Sequence, residues 1–491
     1  MPTRFFGYLL LSFLMVPGAS KLWAVERKPS GADAARPNIV LLMADDQGWG
    51  DVAYNVDTPL KTPVLDEMAA KGLRFNRFYA AAPVCSPTRG SVLTGRHPNR
   101  FGCFSWGYTL RPEEVTVAEA LSDAGYTTGH FGKWHLGEMD AASPVSPGKS
   151  GFKEWVSSPN FFENSPLLSH NGKVIETKGE GSQVTMDAAV SFIRDAVKAK
   201  SPFLAVVWFG SPHLPHVPLE SDRQQYAEHP VALQNYWAEI TAMDRAVGKL
   251  REELKTLGIA ENTLVWYTSD NGATTPGSTG GLRGKKASLY EGGIRVPGIV
   301  EWPARIKSPR KTDLPAGSVD ILPTLLDFVG AKAPTDRPLD GLSLRPLFDG
   351  QMDRRTKPLG FWVYPAPGRP VRSNDLLKAL AAKQTGDKTT AANSPPPPAP
   401  SADRHSYPET DLPGHSAWID GDWKLHRIPF QSGEVTYTLY DLKQDAAESH
   451  NLISHQAERV ATMKKDLEAW QLSVVRSLNG HDYRSEKAQQ R

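Results

Sequence analysis

The sequence predicts an α/β protein: a large, mainly parallel sheet sandwiched by helices, followed by a smaller C-terminal α+β subdomain. Three observations predict it. Asn38–Met43, Pro202–Phe209 and Thr263–Thr268 are continuous apolar or β-branched runs, as strands buried on both faces should be. Helical patterns alternate with these runs, which implies parallel strands joined by crossover helices. The 491 residues, 40% of them hydrophobic, suffice for one large core and a smaller one.

Taken in order, Arg4 precedes an apolar stretch from Phe5 to Val16, then Pro17, Gly18 and small residues. This pattern reads as an export signal over residues 1–24, cleaved near Ala24. The stretch is short of the ~20 residues that span a bilayer; an uncleaved anchor is the alternative. No cysteine follows it, which argues against a lipoprotein anchor. The N-terminal domain is read as residues 36–358. Within it Thr62-Pro63 opens a helix that Gly72 closes, and Thr116 with Glu119 forms a capping box for a helix ending at Gly125. Leu233–Leu257 reads as a long amphipathic helix closed by Gly258. The C-terminal subdomain, residues 359–480, reads as a small antiparallel sheet from Ala417–His426 and Val435–Leu442, with one helix over Gln456–Ser477. Leu376–Gly414, with its proline run Ser394–Pro400, reads as a mobile surface insertion.

Composition narrows the function. A net charge of +2 gives no general basic field for nucleic acid. Two cysteines exclude a disulfide framework and a cysteine-rich zinc site, although counting alone permits one Cys85–Cys103 bridge.

Each of the three strands runs into a polar cluster: Asp45-Asp46-Gln47-Gly48, Ser211-Pro212-His213-Leu214-Pro215-His216 and Ser269-Asp270-Asn271-Gly272. Ligands of open α/β sheets bind at the carboxyl ends of strands, so these clusters should converge. Asp45, Asp46, Asp270 and Asn271 would supply only oxygen ligands, which select Ca²⁺ or Mg²⁺ over zinc. Either cluster alone is as readily a turn or a helix cap; together, behind buried strands, they favour a metal. Arg89, Lys133, His135, His213 and Lys286 would add cations suited to a tetrahedral anion. Singly, Lys133 could be a solvated lysine, His135 a core histidine and His213 a structural turn residue.

Cys85-Ser86-Pro87-Thr88-Arg89, continued by Gly90 and Leu93-Thr94-Gly95, resembles the Cys-x-Pro-Ser/Thr-Arg signature of type I (formylglycine-dependent) sulfatases, the arylsulfatase-like family. The resemblance extends over the strand-end clusters, Gly132–Gly137, Leu282–Pro297, Ser318–Leu326, Gly421-Asp422-Trp423-Lys424-Leu425 and Tyr440-Asp441-Leu442. It implies an alkaline-phosphatase-like fold and sulfuric ester hydrolysis, with a sulfated carbohydrate as the expected substrate. It further implies that Cys85 is oxidised to Cα-formylglycine (3-oxoalanine) by a formylglycine-generating or anaerobic sulfatase-maturating enzyme. One Ca²⁺ would be held by Asp45, Asp46, Asp270, Asn271 and converted Cys85, with Mg²⁺ the lesser candidate. In the mechanism implied, Arg89 steadies the hydrated aldehyde, and Lys133 and Lys286 neutralise sulfate oxygens. His213 protonates the leaving group. His135 takes the proton from the second hydroxyl as sulfate is expelled and the aldehyde returns. Cys85 is placed at a helix start, where backbone amides favour an anion. Spacing to Glu291-Gly292-Gly293 selects Lys286 over Lys285, and His216 has no assigned role.

Two other functions stay open at this point: a phosphonate monoester or phosphodiester hydrolase of the same fold, and a non-catalytic sulfated-glycan-binding protein with unmodified Cys85. Phe101–Tyr108 and Phe161-Phe162 could line a substrate pocket or be ordinary core and loop residues. An exported protein without a stable membrane anchor, and with Cys103 as a lone thiol, completes the expectation.

Overall fold

Ten strands form the main sheet of this computed structural model, which describes Met1 and residues 36–386, 406–430 and 432–483. Across the sheet they run Arg310–Thr312, Leu73–Phe75, Gly298–Glu301, Thr263–Ser269, Asn38–Ala44, Phe203–Trp208, Thr127–Lys133, Glu154–Ser158, Leu167–His170 and Lys173–Glu176. The strands from Thr263–Ser269 through Glu154–Ser158 are parallel; Gly298–Glu301 and the hairpin after Glu154–Ser158 are antiparallel. Alternation divides the central strands between two cores. Ile39, Leu41, Met43, Val206 and Trp266 face one; Val40, Leu42, Ala44, Val207 and Tyr267 face the other. Helices Pro63–Lys71, Gly181–Lys198 and Val231–Thr256 cover the second face, and Cys85–Thr94, Val117–Asp123 and Ile321–Val329 cover the first. Each fully buried aliphatic side chain contributes about 1.5–3 kcal/mol. Both faces being apolar is the reason these strands read as unbroken apolar runs.

The Thr116 capping box forms: Thr116 Oγ1 accepts from Glu119 N at 3.1 Å, and Glu119 Oε2 accepts from Thr116 N at 2.9 Å. Thr62 occupies the N-cap position of its helix without capping it. The Asp244 carboxylate takes that part from the neighbouring long helix, accepting from Val64 N at 3.0 Å and Leu65 N at 2.8 Å.

A separate four-stranded antiparallel sheet follows, in the order Leu359–Trp362, Ser416–Asp420, Trp423–Pro429 and Val435–Asp441, packed by helix Ala457–Leu478. The run Ala417–His426 is thus two strands, reversed at Gly421, whose φ of +57° suits glycine. Leu359–Trp362 is an edge strand that its short sequence did not announce. The insertion expected from Leu376 begins as an ordered helix, Ser373–Thr385. Leu377 is buried and Leu380 packs beside the main core, while Ser373 Oγ accepts from Asn160 N at 3.1 Å and donates to Phe161 O at 2.8 Å. The proline run, and the expected export signal apart from Met1, lie outside the described residues. The described residues from Arg36 onward form one compact unit, and among them no helix is long and apolar enough to cross a membrane.

Candidate active site

Strand register decides which residues meet at the carboxyl edge of the sheet. Met43 pairs with Trp208 and with Thr268, Ala44 with Ser269, and Gly132 with Trp208. Asp45, Lys133, the turn before His213 and Asp270 therefore leave the sheet side by side. Backbone bonds hold them there, Asp45 N to Ser211 O at 3.0 Å and Asp270 N to Ala44 O at 3.1 Å. Asp46 and His135 adopt left-handed φ of +68° and +55°. Such backbone costs on the order of 1 kcal/mol or more and concentrates at functional sites.

Cys85 is the first residue of helix Cys85–Thr94 and is buried. Its Sγ lies 3.4 Å from Lys286 Nζ. Arg89, one turn on, sets Nε and Nη2 on Asp270 Oδ2 at 3.1 and 2.7 Å and lies over the Trp208 ring. Gly90 lets this helix seat against Phe101, since a Cβ there would stand 2.9 Å from the ring. Lys133 Nζ is 2.6 Å from Asp45 Oδ2, and Lys286 Nζ is 2.6 and 2.8 Å from the two Asp46 oxygens. His213 Nδ1 donates to Leu214 O at 2.5 Å, which turns Nε2 toward Asp46 Oδ2, 3.7 Å away. Phe161 stacks on the imidazole with centroids 4.2 Å apart.

Burial pushes the Cys85 thiol up to about 12, against the pull of Lys133 and Lys286. Burial also works to raise Asp45, but Lys133, His213 and Arg89 outweigh it and hold that carboxyl below its ordinary value. Burial, followed by the Asp45 charge, pushes Asp270 up. His135 is driven far below the usual histidine range by burial and then by Lys133 and Arg89, so its imidazole is neutral.

Ligating atoms of Asp45, Asp46, Cys85 and His213 lie within 4.8 Å of one another. Asp270 and Asn271 adjoin this group through Asp46: Asp270 Oδ1 accepts from Asp46 N at 3.1 Å, and Asn271 Nδ2 donates to Asp46 Oδ1 at 2.8 Å. Asp45 Oδ1 and Asn271 Oδ1 are buried without a hydrogen-bonding protein partner. Oxygens left over among anionic neighbours suit a hard divalent cation, so the donor set fits Ca²⁺ or Mg²⁺.

All ten residues singled out in the sequence are thus brought to one edge. Lys285 bonds Thr275 Oγ1 at 3.2 Å and Gly277 O at 3.0 Å, away from the acids. His216 bonds Pro212 O at 3.1 Å and packs on Tyr236. Cys85 and Cys103 are both free and buried, so the bridge that counting permits is not made. Sequence reading missed Asp51 and Tyr236. Tyr236 Oη donates to Asp51 Oδ2 at 2.6 Å, and Asp51 accepts from Gly48 N and Ser278 N at 2.9 and 2.8 Å, bracing the turn after Asp46. Burial raises Asp51 to about 6 despite these bonds. An aspartate four residues after Gln47 carries no signal of its own.

An acidic, oxygen-rich pocket ringed by buried cations, at the carboxyl edge of a mainly parallel sheet, defines a hydrolase of tetrahedral oxyanion esters. Residues 37–331 match the family described as Sulfatase, and the chain belongs to that family of sulfuric ester hydrolases. It is 35% identical to mouse N-acetylgalactosamine-6-sulfatase over 64% of this chain and 67% of that one. It is 31% identical to human arylsulfatase A over 90% of this chain and 88% of that one. Among solved structures, i-CgsB in complex with k-i-k-neocarrahexaose superposes with a TM-score of 0.75 at 23% identity, covering 89% of this chain and 93% of that one. A protein solved with its substrate D-glucosamine-2-N,6-O-disulfate gives 0.70 at 20% identity, covering 92% and 100%. At these identities the structures establish the shared alkaline-phosphatase-like fold.

Proposed function

We propose that this sulfatase hydrolyses sulfate monoesters of a sulfated carbohydrate, using a formylglycine made from Cys85 and one Ca²⁺ held by Asp45, Asp46, Asp270 and Asn271. The observation that carries the reading is the setting of Cys85. Its Sγ stands in for the nucleophilic oxygen of the converted residue. It sits at a helix N-terminus 3.4 Å from Lys286 Nζ, yet burial pushes the thiol up to about 12. That position puts residue 85 among the acids and cations of the site, where a converted side chain would meet both the cation and the sulfate. The carbohydrate part is supported by the names of N-acetylgalactosamine-6-sulfatase and of the glucosamine disulfate complex.

When present, the cation and the converted residue supply Lewis-acid polarisation of sulfate and a hydroxyl nucleophile. The chain's own groups do the rest. Lys133 and Lys286 hold cationic charge against the sulfate oxygens, and Arg89 fixes Asp270 and orients the helix that bears residue 85. Neutral His135 is ready to take a proton. Burial pushes His213 below the usual histidine range although Asp45 and Asp46 pull it up; when protonated, it gives its proton to the leaving oxygen. Overall, water replaces the alcohol on sulfur: the ester S–O bond breaks, the alcohol leaves protonated, and sulfate is released with a proton. Residues 36–358 carry this chemistry and residues 359–480 form the supporting subdomain. The protein is exported and is matured by an oxidising formylglycine-forming enzyme.

Peptide mass spectrometry on protein from its native host tests the proposal. The tryptic peptide Phe78–Arg89 should be about 18 Da lighter than the cysteine form, the change for thiol-to-aldehyde conversion. A peptide found only at the cysteine mass contradicts the proposal.

A further inference from the structure

A second buried cluster of charges lies outside the acidic pocket and joins the C-terminal sheet to the loop that carries Lys286. Lys424, in strand Trp423–Pro429, places Nζ 2.9 Å from Glu291 Oε1 and 3.1 Å from Glu448 Oε1. Glu448 Oε2 accepts from Glu291 N at 2.6 Å, and its Oε1 bonds His426 Nε2 at 2.6 Å. Glu291 Oε2 accepts from Tyr79 Oη at 3.0 Å. Lys424, Glu291, Glu448 and His426 are all fully buried. Stability alone is a weak reason for such a cluster, because apolar residues of similar volume commonly serve as well or better. What directional charge pairs add is a fixed orientation.

The object they orient is the segment Leu282–Gly293. Gly292 N donates to Arg283 O at 2.7 Å and closes the segment on itself, while Arg283 Nη1 reaches Glu448 O at 3.0 Å. Gly272 N donates to Gly293 O at 2.9 Å, Lys286 N to Ala273 O at 3.0 Å and Ala287 N to Pro83 O at 2.8 Å. One side of the segment is thus bonded beside Asp270-Asn271 and the other beside Cys85. There is little slack, since a Cβ on Gly293 would stand 1.9 Å from Ser288 O. Glu291 is the charged point at which the C-terminal subdomain grips this segment, beside the Arg283 bond to Glu448 O and the packing of Leu289 on Phe361 and Ile419.

We propose that Lys424 and Glu448 are positioning residues that act through Glu291 to set the Lys286 ammonium against Asp46 and residue 85. This rests on the reading of Lys286 as a sulfate-binding cation, and the test separates the two. Turnover of 4-nitrocatechol sulfate is measured for the wild type, Glu291→Gln, Lys286→Ala and the double variant, each normalised to its converted Cys85 fraction by mass spectrometry. Misplacement of a reacting group by about 1 Å costs up to ~100-fold, so Glu291→Gln should lower kcat by roughly tenfold to a hundredfold. In the Lys286→Ala background the same change should cost less than about twofold, because the group being positioned is gone. Full additivity, or an unchanged kcat in Glu291→Gln, overturns the proposal. An unchanged kcat in Lys286→Ala overturns the underlying role of Lys286 instead, and the proposal with it. If Glu291→Gln fails to fold, the charge-balanced pair Lys424→Met with Glu448→Gln is read in the same two backgrounds with the same expectations.

Discussion

His135 is an expensive residue where it stands. It is buried, neither ring nitrogen bonds a protein atom, and its backbone is left-handed. An unpartnered buried polar group costs about 1–3 kcal/mol, and the backbone adds on the order of 1 kcal/mol. Packing does not explain the imidazole; the proton transfer proposed for it, by a base kept neutral, would. Asparagine tolerates the same backbone, so His135→Asn should lower kcat by roughly 10²–10⁴ on sulfate esters with little change in thermal midpoint. An unchanged kcat at full Cys85 conversion would remove His135 from the chemistry. At this scale the sequence was informative where function writes a local pattern. Asp45-Asp46 and Asp270-Asn271 each follow an apolar strand, and Cys85 to Arg89 is a compact motif. Asp51, Tyr236 and Glu448 were silent, because their meaning lies in partners far along the chain.

Elements were legible to the degree that one pattern fixed them. Strands buried on both faces appear as apolar runs, and the Thr116 capping box is spelled out in four residues. Thr62 shows the limit: its helix is capped by Asp244, a carboxylate on a distant helix that no local reading supplies. Helix Ser373–Thr385 sat in low-complexity sequence, yet Leu377 and Leu380 give it an apolar face that docks on the core. The end of the cysteine-bearing helix is held in a similar non-local way. Asp340 N donates to Gly95 O at 3.0 Å, and the Asp340 carboxylate accepts from Arg100 Nε at 2.6 Å, His97 N at 2.6 Å and Trp470 Nε1 at 2.8 Å. Burial works to raise this carboxyl, but Arg100 and the His97 amide hold it well below the ordinary range. A depressed carboxyl adds stability above the unfolded value of about 3.9, and that stability is lost as pH falls through the folded value. Asp340→Asn should therefore cost about 3 kcal/mol near neutral pH, with the gap to wild type narrowing in denaturant titrations below pH ~4. Parallel stability curves through that range would contradict the assignment.

The whole molecule is a large sheet that delivers oxygen ligands and cations to one edge, with a smaller sheet gripping the loop opposite. Solved structures at 20–23% identity share this fold over about nine-tenths of the chain. Fold therefore persists where sequence has drifted, and the choice among oxyanion esters must come from the pocket. Cations are concentrated there: Arg89 and Lys133 are fully buried and Lys286 is partly buried. A sulfate monoester brings one negative charge on three terminal oxygens and needs only one substituent accommodated on sulfur. A phosphate diester spreads its charge over two terminal oxygens and requires room for a second substituent. Turnover of 4-nitrophenyl sulfate, compared with that of the matching 4-nitrophenyl phosphate diester on calcium-loaded protein with converted Cys85, decides between the two ester classes. A sulfatase has the higher kcat/KM on the sulfate; a large preference for the diester would overturn the assignment.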